Sequence, residues 1–213
     1  KKEWDKTSVR SIFAFPDLYE VGMSHLGLKI IYNIVNNHPE MLMERVFTPW
    51  VDMEDELRKN NISIFSLENK KPINEFDVIG FTLQYEMTFT NILNILDLGQ
   101  IPKLSKDRTD ENPLIIAGGP CVYNPEPLSD FVDVFIIGDG EEIIIELLEE
   151  VKKNKELNKG KLNKEILLKE LVKISGLYIP SFYKVNEEGI VSSVVPEAPY
   201  PVLKRTVQDL DQA

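Results

Sequence analysis

The chain has 213 residues, 43% of them hydrophobic, and a formal charge of −11. That is apolar content enough for a packed core, and the wrong sign for sequence-independent attraction to nucleic-acid phosphates. One cysteine (Cys121) and two histidines (His25, His38) exclude an intrachain disulfide and any cluster or zinc site built from several thiolates of this chain.

The length fits one domain with an appendage. Apolar runs such as Val132 to Ile137 break within a few residues, so no segment is predicted to span a bilayer. The start, Lys-Lys-Glu-Trp-Asp, lacks an apolar signal core, and a cytoplasmic location is the expectation. It also lacks an initiator Met, which suggests trimming or disorder, and the polar Gln208–Ala213 end, with no packed terminus evident, reads as the front part of something longer.

Val9–Phe15 reads as a strand stopped by Pro16. From Ser24, the expected N-cap, Leu26, Ile30, Ile31, Ile34 and Val35 form one helical stripe, which Asn36-Asn37-His38-Pro39 closes. Arg45–Phe47 is β-like, Trp50–Lys59 helical and Ser63–Phe65 a short strand. Phe76–Thr82 is a buried strand, and Thr88–Leu98 carries Phe89, Ile92, Leu93, Ile95 and Leu96 at helical spacing. Gly99–Pro113 is a long polar connection, a length that is often functional or mobile. Leu114–Ala117 and Val134–Ile137 complete the core strands, and Glu142–Lys153 is a helix opening with acids, as its dipole favours.

Strands alternating with helices predict a mainly parallel sheet covered on both faces. After residue 155 the character changes. Residues 156–200 read as a small α+β extension: a helix over Lys164–Ile174, strands over Leu177–Ile179, Phe182–Val185 and Val191–Val195, and a turn at Asn186–Gly189. Residues 201–213, beginning at Pro201, read as a linker.

Three strand-to-helix loops stand out: Asp17-Leu-Tyr-Glu-Val-Gly22, Ile115-Ile-Ala-Gly-Gly-Pro120 and Gly138-Asp-Gly-Glu-Glu142. In an open α/β sheet this is the rim where ligands bind. Backbone amides there can hold an anionic or amide-bearing ligand, and Gly118-Gly119 lets one approach closely. The plain alternatives remain open: Asp17 as a cap, Gly22 for a special dihedral, Gly138-Asp139-Gly140 as a turn, and Glu141 and Glu142 as first-turn acids. His25 reads as a capping or surface residue, and Cys121 has no histidine beside it to make a nucleophile. A receiver domain is rejected, because Thr82 and Gly138-Asp139 stand where an acceptor Asp and a Lys are needed. No Rossmann fingerprint or phosphate-loop Lys follows a strand.

In order, Phe15-Pro-Asp-Leu-Tyr-Glu-Val-Gly-Met-Ser-His-Leu-Gly27, Ile116-Ala-Gly-Gly-Pro-Cys-Val-Tyr-Asn-Pro-Glu-Pro127 and Asp133-Val-Phe-Ile-Ile-Gly-Asp-Gly-Glu-Glu142 resemble the amino-terminal domain of radical S-adenosylmethionine proteins with a cobalamin-binding-like front end. The narrower match is to the uncharacterised branch often labelled iron–sulfur oxidoreductase, and it covers Val9 to Pro201. The resemblance implies a flavodoxin-like or cobalamin-binding-like open sheet over residues 1–155. It also implies a catalytic barrel downstream, whose C-x3-C-x2-C motif holds the iron–sulfur cluster that cleaves S-adenosylmethionine. That motif is absent here, so this chain is expected to be catalytically silent, covering or regulating the barrel's site. Cobalamin-binding domains commonly show Asp-x-His-x-x-Gly, then Ser-x-Leu/Thr, then Gly-Gly. Here Asp17 and Gly22 match, Tyr19 replaces the histidine, Thr82-Leu-Gln84 is a loose second motif and Gly118-Gly119 fits the third. A phenol is a poor cobalt ligand at neutral pH, but radical enzymes can hold cobalamin without protein coordination. If cobalamin binds, Asp17, Tyr19, Gly22, Thr82, Gly118, Gly119, Gly138 and Gly140 are expected to line it through backbone and shape. The alternative is a docking module whose slot is filled by Tyr85, Met87 and Phe89.

Overall fold

The computed structural model describes residues 2–188, 190–193 and 195–207. Gln208–Ala213 lies outside them, as do one residue each of the expected turn at 186–189 and strand at 191–195. The described chain runs β1 (Val9–Phe15), α1 (Tyr19–Gly22), α2 (Leu26–Asn37), β2 (Met41–Phe47), α3 (Val51–Lys59), β3 (Val78–Thr82), α4 (Phe89–Leu98), β4 (Leu114–Gly118), β5 (Val134–Ile136), α5 (Ile143–Leu157), α6 (Lys164–Leu171), β6 (Leu177–Tyr178), β7 (Tyr183–Val185) and β8 (Val191–Ser193). The main sheet has six strands in the order β2-β1-β3-β4-β5-β6. All neighbours are parallel except β6, which pairs antiparallel with β5 at Phe135↔Tyr178. β7 and β8 form a separate antiparallel pair.

The order turns back on itself at β1: β2 lies to one side, β3 to the other. Right-handed crossovers then place α2 on one face and α3 and α4 on the opposite one. The packing agrees, since α2 meets α5 while α3 meets α4. The expected α/β architecture with a mostly parallel open sheet is what the chain forms. Val9, Ile12, Ile79, Leu114, Ile115 and Phe135 are fully buried at the centre of the core.

Several local expectations give way. β2 begins at Met41 rather than Arg45. Its alternation is masked because Glu44 is wholly buried, its carboxylate taken by the backbone and side-chain amides of Asn69. Ser63–Phe65 is no strand; only Phe65 forms a bridge, to Pro72. His25, not Ser24, caps α2: its Nδ1 accepts the Leu28 N–H at 3.1 Å, while the Ser24 hydroxyl turns back to the Val21 carbonyl. The 99–113 connection is pinned. The buried Arg108 guanidinium donates to the carbonyls of Pro102, Lys103 and Phe131 and to Asp133 Oδ1 at 2.8–3.0 Å. Finally, residues read above as the start of a linker return to the sheet. Arg205 pairs in parallel with Gly138, its N–H donating to Ile137 O and its carbonyl accepting from Asp139 N–H.

Candidate functional site

Period-two geometry sorts the strand residues by face. The registers align Phe13 with Gly80, Gly80 with Ile116, and Thr82 with Gly118, so these residues share the face that α2 and α5 cover. Two of them are glycines in mid-sheet or at a strand end, and no side chain rises there. A crevice of about 380 Å³ results, floored by Gly80, Ile116 and Gly118 and lined also by His25, Ile31 and Asp139–Glu141. It opens at the carboxyl ends of β1 and β3, the point where the strand order reverses and open α/β sheets bind their ligands.

Five of the eight residues singled out in the sequence line this crevice: Thr82, Gly118, Gly119, Gly138 and Gly140. Thr82 is nearly buried and its Oγ1 accepts from Gln84 Nε2 at 2.5 Å. Gly119 sits at φ +101°, where a Cβ would lie 2.9 Å from the Leu83 carbonyl, so the tight turn requires glycine. Gly138, at φ +110°, is pressed against the Arg205 backbone.

The remaining three stand elsewhere. Asp17 accepts the Leu18 N–H at 2.7 Å and the Tyr85 phenol at 3.1 Å, tying the loop after β1 to the loop after β3. That carboxylate holds the Tyr85 phenol above its usual titration range. Gly22 is not in a left-handed conformation. It is small because a Cβ there would meet the Phe47 ring at 2.4 Å and Phe15 at 2.9 Å. Tyr19 packs edge-on against Phe47, with ring centroids 5.4 Å apart, and lines a second concavity beside β2. Asp17 and Gly22 line neither space.

The residues proposed to fill the slot do not line it: Tyr85 is 46% and Met87 81% exposed, and Phe89 packs against the core. Cys121 is half-buried and outside the crevice; burial, then the nearby Glu86 carboxylate, raises its thiol pKa, which disfavours thiolate. Among the described residues no three His, Cys, Asp or Glu side chains converge as metal ligands. Nor is any described helix long and apolar enough to cross a membrane. Sequence reading missed Gly80, Gln84, His25 and Tyr123 as lining residues. The signal for Gly80 was present: a glycine inside a strand, two residues before Thr82, marks close approach on the same face.

Residues 27–180 match the family of radical SAM proteins, N-terminal. The chain belongs to this family. A curated relative, an uncharacterized protein of Methanocaldococcus jannaschii, is 28% identical over 139 residues, covering 63% of this chain and 25% of its own. Among solved structures the chain is similar to the radical S-adenosylmethionine methyltransferase TsrM from Kitasatospora setae. With cobalamin and a 4Fe-4S cluster bound, that structure gives a TM-score of 0.49 and 14% identity over 89% of this chain and 31% of that one. With tryptophan substrate and the SAM analogue aza-SAM bound, it gives 0.46 and 14% over 88% and 30%. The chain thus spans about a quarter of the curated relative and about a third of the solved structures.

Proposed function

We propose that this radical SAM N-terminal domain is a non-catalytic, cofactor-holding part of a radical S-adenosylmethionine enzyme, and that its crevice takes the nucleotide tail of a cobalamin. The single observation behind this reading is the crevice over Gly80 and Gly118, placed where the strand order reverses. Fit can be judged from the donors present. The floor is bare backbone and apolar side chain, suited to a flat heteroaromatic group. The rim offers Thr82, Gln84, Asp139 and Tyr123 for polar contacts.

Gly80 and Gly118 on the floor would admit the group closely, with His25, Gly119, Gly140 and Tyr123 around it. His25 Nδ1 is engaged by the Leu28 N–H, which leaves its proton on Nε2; the ring is then a donor, with no free lone pair for a metal. Tyr19 faces the other concavity. Neither residue supplies an axial ligand in this arrangement, so holding rests on shape. When bound, cobalamin supplies group or electron transfer at cobalt. The chain's own residues orient it and exclude water along its tail. A downstream radical barrel is the partner, and its reaction is performed there.

The test is to incubate the 213-residue chain with hydroxocobalamin, desalt it and read the corrin absorbance. Stoichiometric retention supports the reading. Colourless protein after incubation at about 100 μM ligand, some hundredfold above a micromolar Kd, would overturn it in favour of a docking module.

A further inference from the structure

The second concavity, about 710 Å³, lies beside β2, the edge strand of the sheet. Edge strands present unpaired N–H and C=O groups at alternate residues, and native proteins usually cover them. Along β2 the outward residues are Met41, Met43, Arg45 and Phe47, since Leu42 faces β1, where its carbonyl accepts from Ser11 Oγ at 2.9 Å. The first three are covered in turn. Met41 N–H donates to His38 O, and Met41 O accepts from Lys2 Nζ at 2.8 Å. The Asn36 side chain takes both backbone groups of Met43, at 3.2 and 2.9 Å. Arg45 N–H donates to Glu68 Oε2 at 2.8 Å, and Arg45 O accepts from Leu67 N–H at 2.8 Å.

Phe47 breaks the series. Among the described residues its backbone makes no hydrogen bond beyond the sheet ladder. The 64–67 segment that covers Arg45 lines the far wall of the concavity here, leaving the space between open. Tyr19, Trp50 and Met53 stand exposed around it. Lys70, also in the wall, lies 5.7 Å from the centre of the Phe65 ring, with no carboxylate paired to it among the described residues.

We infer that this concavity is a docking groove for an extended polypeptide segment of a partner protein. The segment adds to β2 by exchanging hydrogen bonds with the Phe47 N–H and carbonyl. It seats apolar side chains against Tyr19, Trp50 and Met53 and offers an acidic side chain to Lys70. A donor and an acceptor on one extended residue are the complement of a peptide main chain, which is how sheet edges capture strands. Exposed Trp and Tyr beside a groove are the residue types that anchor such contacts. Lys70 selects for acid on the side of the 64–70 segment, and Glu20 and Asp52 on the helix side disfavour it there. The groove is separate from the crevice assigned to cobalamin, so the two readings stand or fall independently.

Hydrogen exchange followed by NMR on the 15N-labelled 213-residue chain tests this directly. In the free protein the Phe47 amide is expected to exchange at least about tenfold faster than those of Met43 and Arg45, whose donors are bonded. The probe is acetyl-Glu-Thr-Val-Ile-Thr-Val-amide at about 1 mM, enough to detect millimolar affinity. It is expected to slow Phe47 exchange severalfold and shift the Trp50 indole resonance. The same peptide N-methylated at alternate residues is expected to do neither. Trp50→Ala, at an exposed position whose side chain makes no cap bond to α3, is expected to weaken binding about tenfold with an unchanged melting temperature. Phe47 protection already equal to that of Arg45 in the free chain, no response to the probe, or equal binding of the N-methylated peptide would each overturn the proposal.

Discussion

The two ends of the sheet are built on opposite plans. At the carboxyl rim, side chains are withheld: Gly80 and Gly118 leave the crevice, while Gly119 makes the tight turn beside it. At the other end, aspartates placed just before one strand fasten the N–H of the second residue of a neighbouring one. Asp77 accepts from Arg10 N–H at 2.8 Å and from Lys155 at 2.7 Å. Asp133 accepts from Ile115 N–H at 2.7 Å and from Arg108 at 2.8 Å. One end fixes register with a buried and a partly buried ion pair, and the other keeps bare backbone available. Stability and ligand capacity are therefore expected to be separable by mutation.

The sharpest way to break this division is at Arg108. Its side chain is fully buried, so Arg108→Leu strands the Asp133 carboxylate and leaves three carbonyls without donors. A loss of about 3–5 kcal/mol in chemical denaturation is expected, while hydroxocobalamin retention by the folded fraction stays as in the parent. Loss of retention in that folded fraction would show that the ends are coupled.

Lys164, at the same end, sharpens the contrast through pH. Its ammonium donates to Pro113 O at 3.1 Å, and burial, with the Arg108 charge adding to it, brings it down to about 8. The folded-state value lies below the unfolded one. The unfolded chain therefore binds more protons between pH 8 and 10.5, and stability from this group rises with pH across that window. Lys164→Met is expected to stabilise by on the order of 2 kcal/mol at pH 7, with the gain fading as pH climbs towards 10.5. Parallel stability curves for the two proteins from pH 7 to about 10.5 would refute this.

At the rim, Gly118→Val should fill the crevice at little cost in folding, because the added Cβ meets only Ile136 at an ordinary 3.9 Å. Retention of hydroxocobalamin is expected to fall at least about tenfold, or 1.4 kcal/mol, with a melting temperature close to that of the parent. Unchanged retention would move the ligand elsewhere.

The smallest effect is expected at the Asp17–Tyr85 link. Because the carboxylate raises the Tyr85 phenol, the bond persists below that raised value and is lost as pH rises through it. Asp17→Asn keeps an acceptor oxygen but removes the charge. One tyrosine should then titrate lower in ultraviolet difference spectra, and an unmoved titration would show that the charge is not what holds it up.

Much of this division was legible in the sequence. Glycines after apolar runs marked Gly118, Gly119, Gly138 and Gly140; Gly119 and Gly138 hold left-handed backbone that few other residues adopt, whereas Gly118 and Gly140 do not. The strands and main helices followed from periodicity. What escaped was decided by tertiary partners. Glu44 looks like a polar break until Asn69 is found across from it. Arg108 in a polar loop gives no hint that it is buried. Asp17 and Gly22 belong to the recognised motif, yet they act in loop tying and in packing against Phe47. A motif spacing cannot separate those roles from ligand contact.

The pairing of Arg205 with Gly138 has a consequence of its own. The Asp139–Gly140 turn that walls the crevice also receives Val207 N–H at Asp139 Oδ2, while Arg205 itself grips Glu142 and Glu146. One turn thus answers to two clients. A molecule whose binding shifts that turn is then expected to shift the hold on residues 205–207, and by reciprocity a pull on that segment is expected to change the molecule's affinity by the same factor.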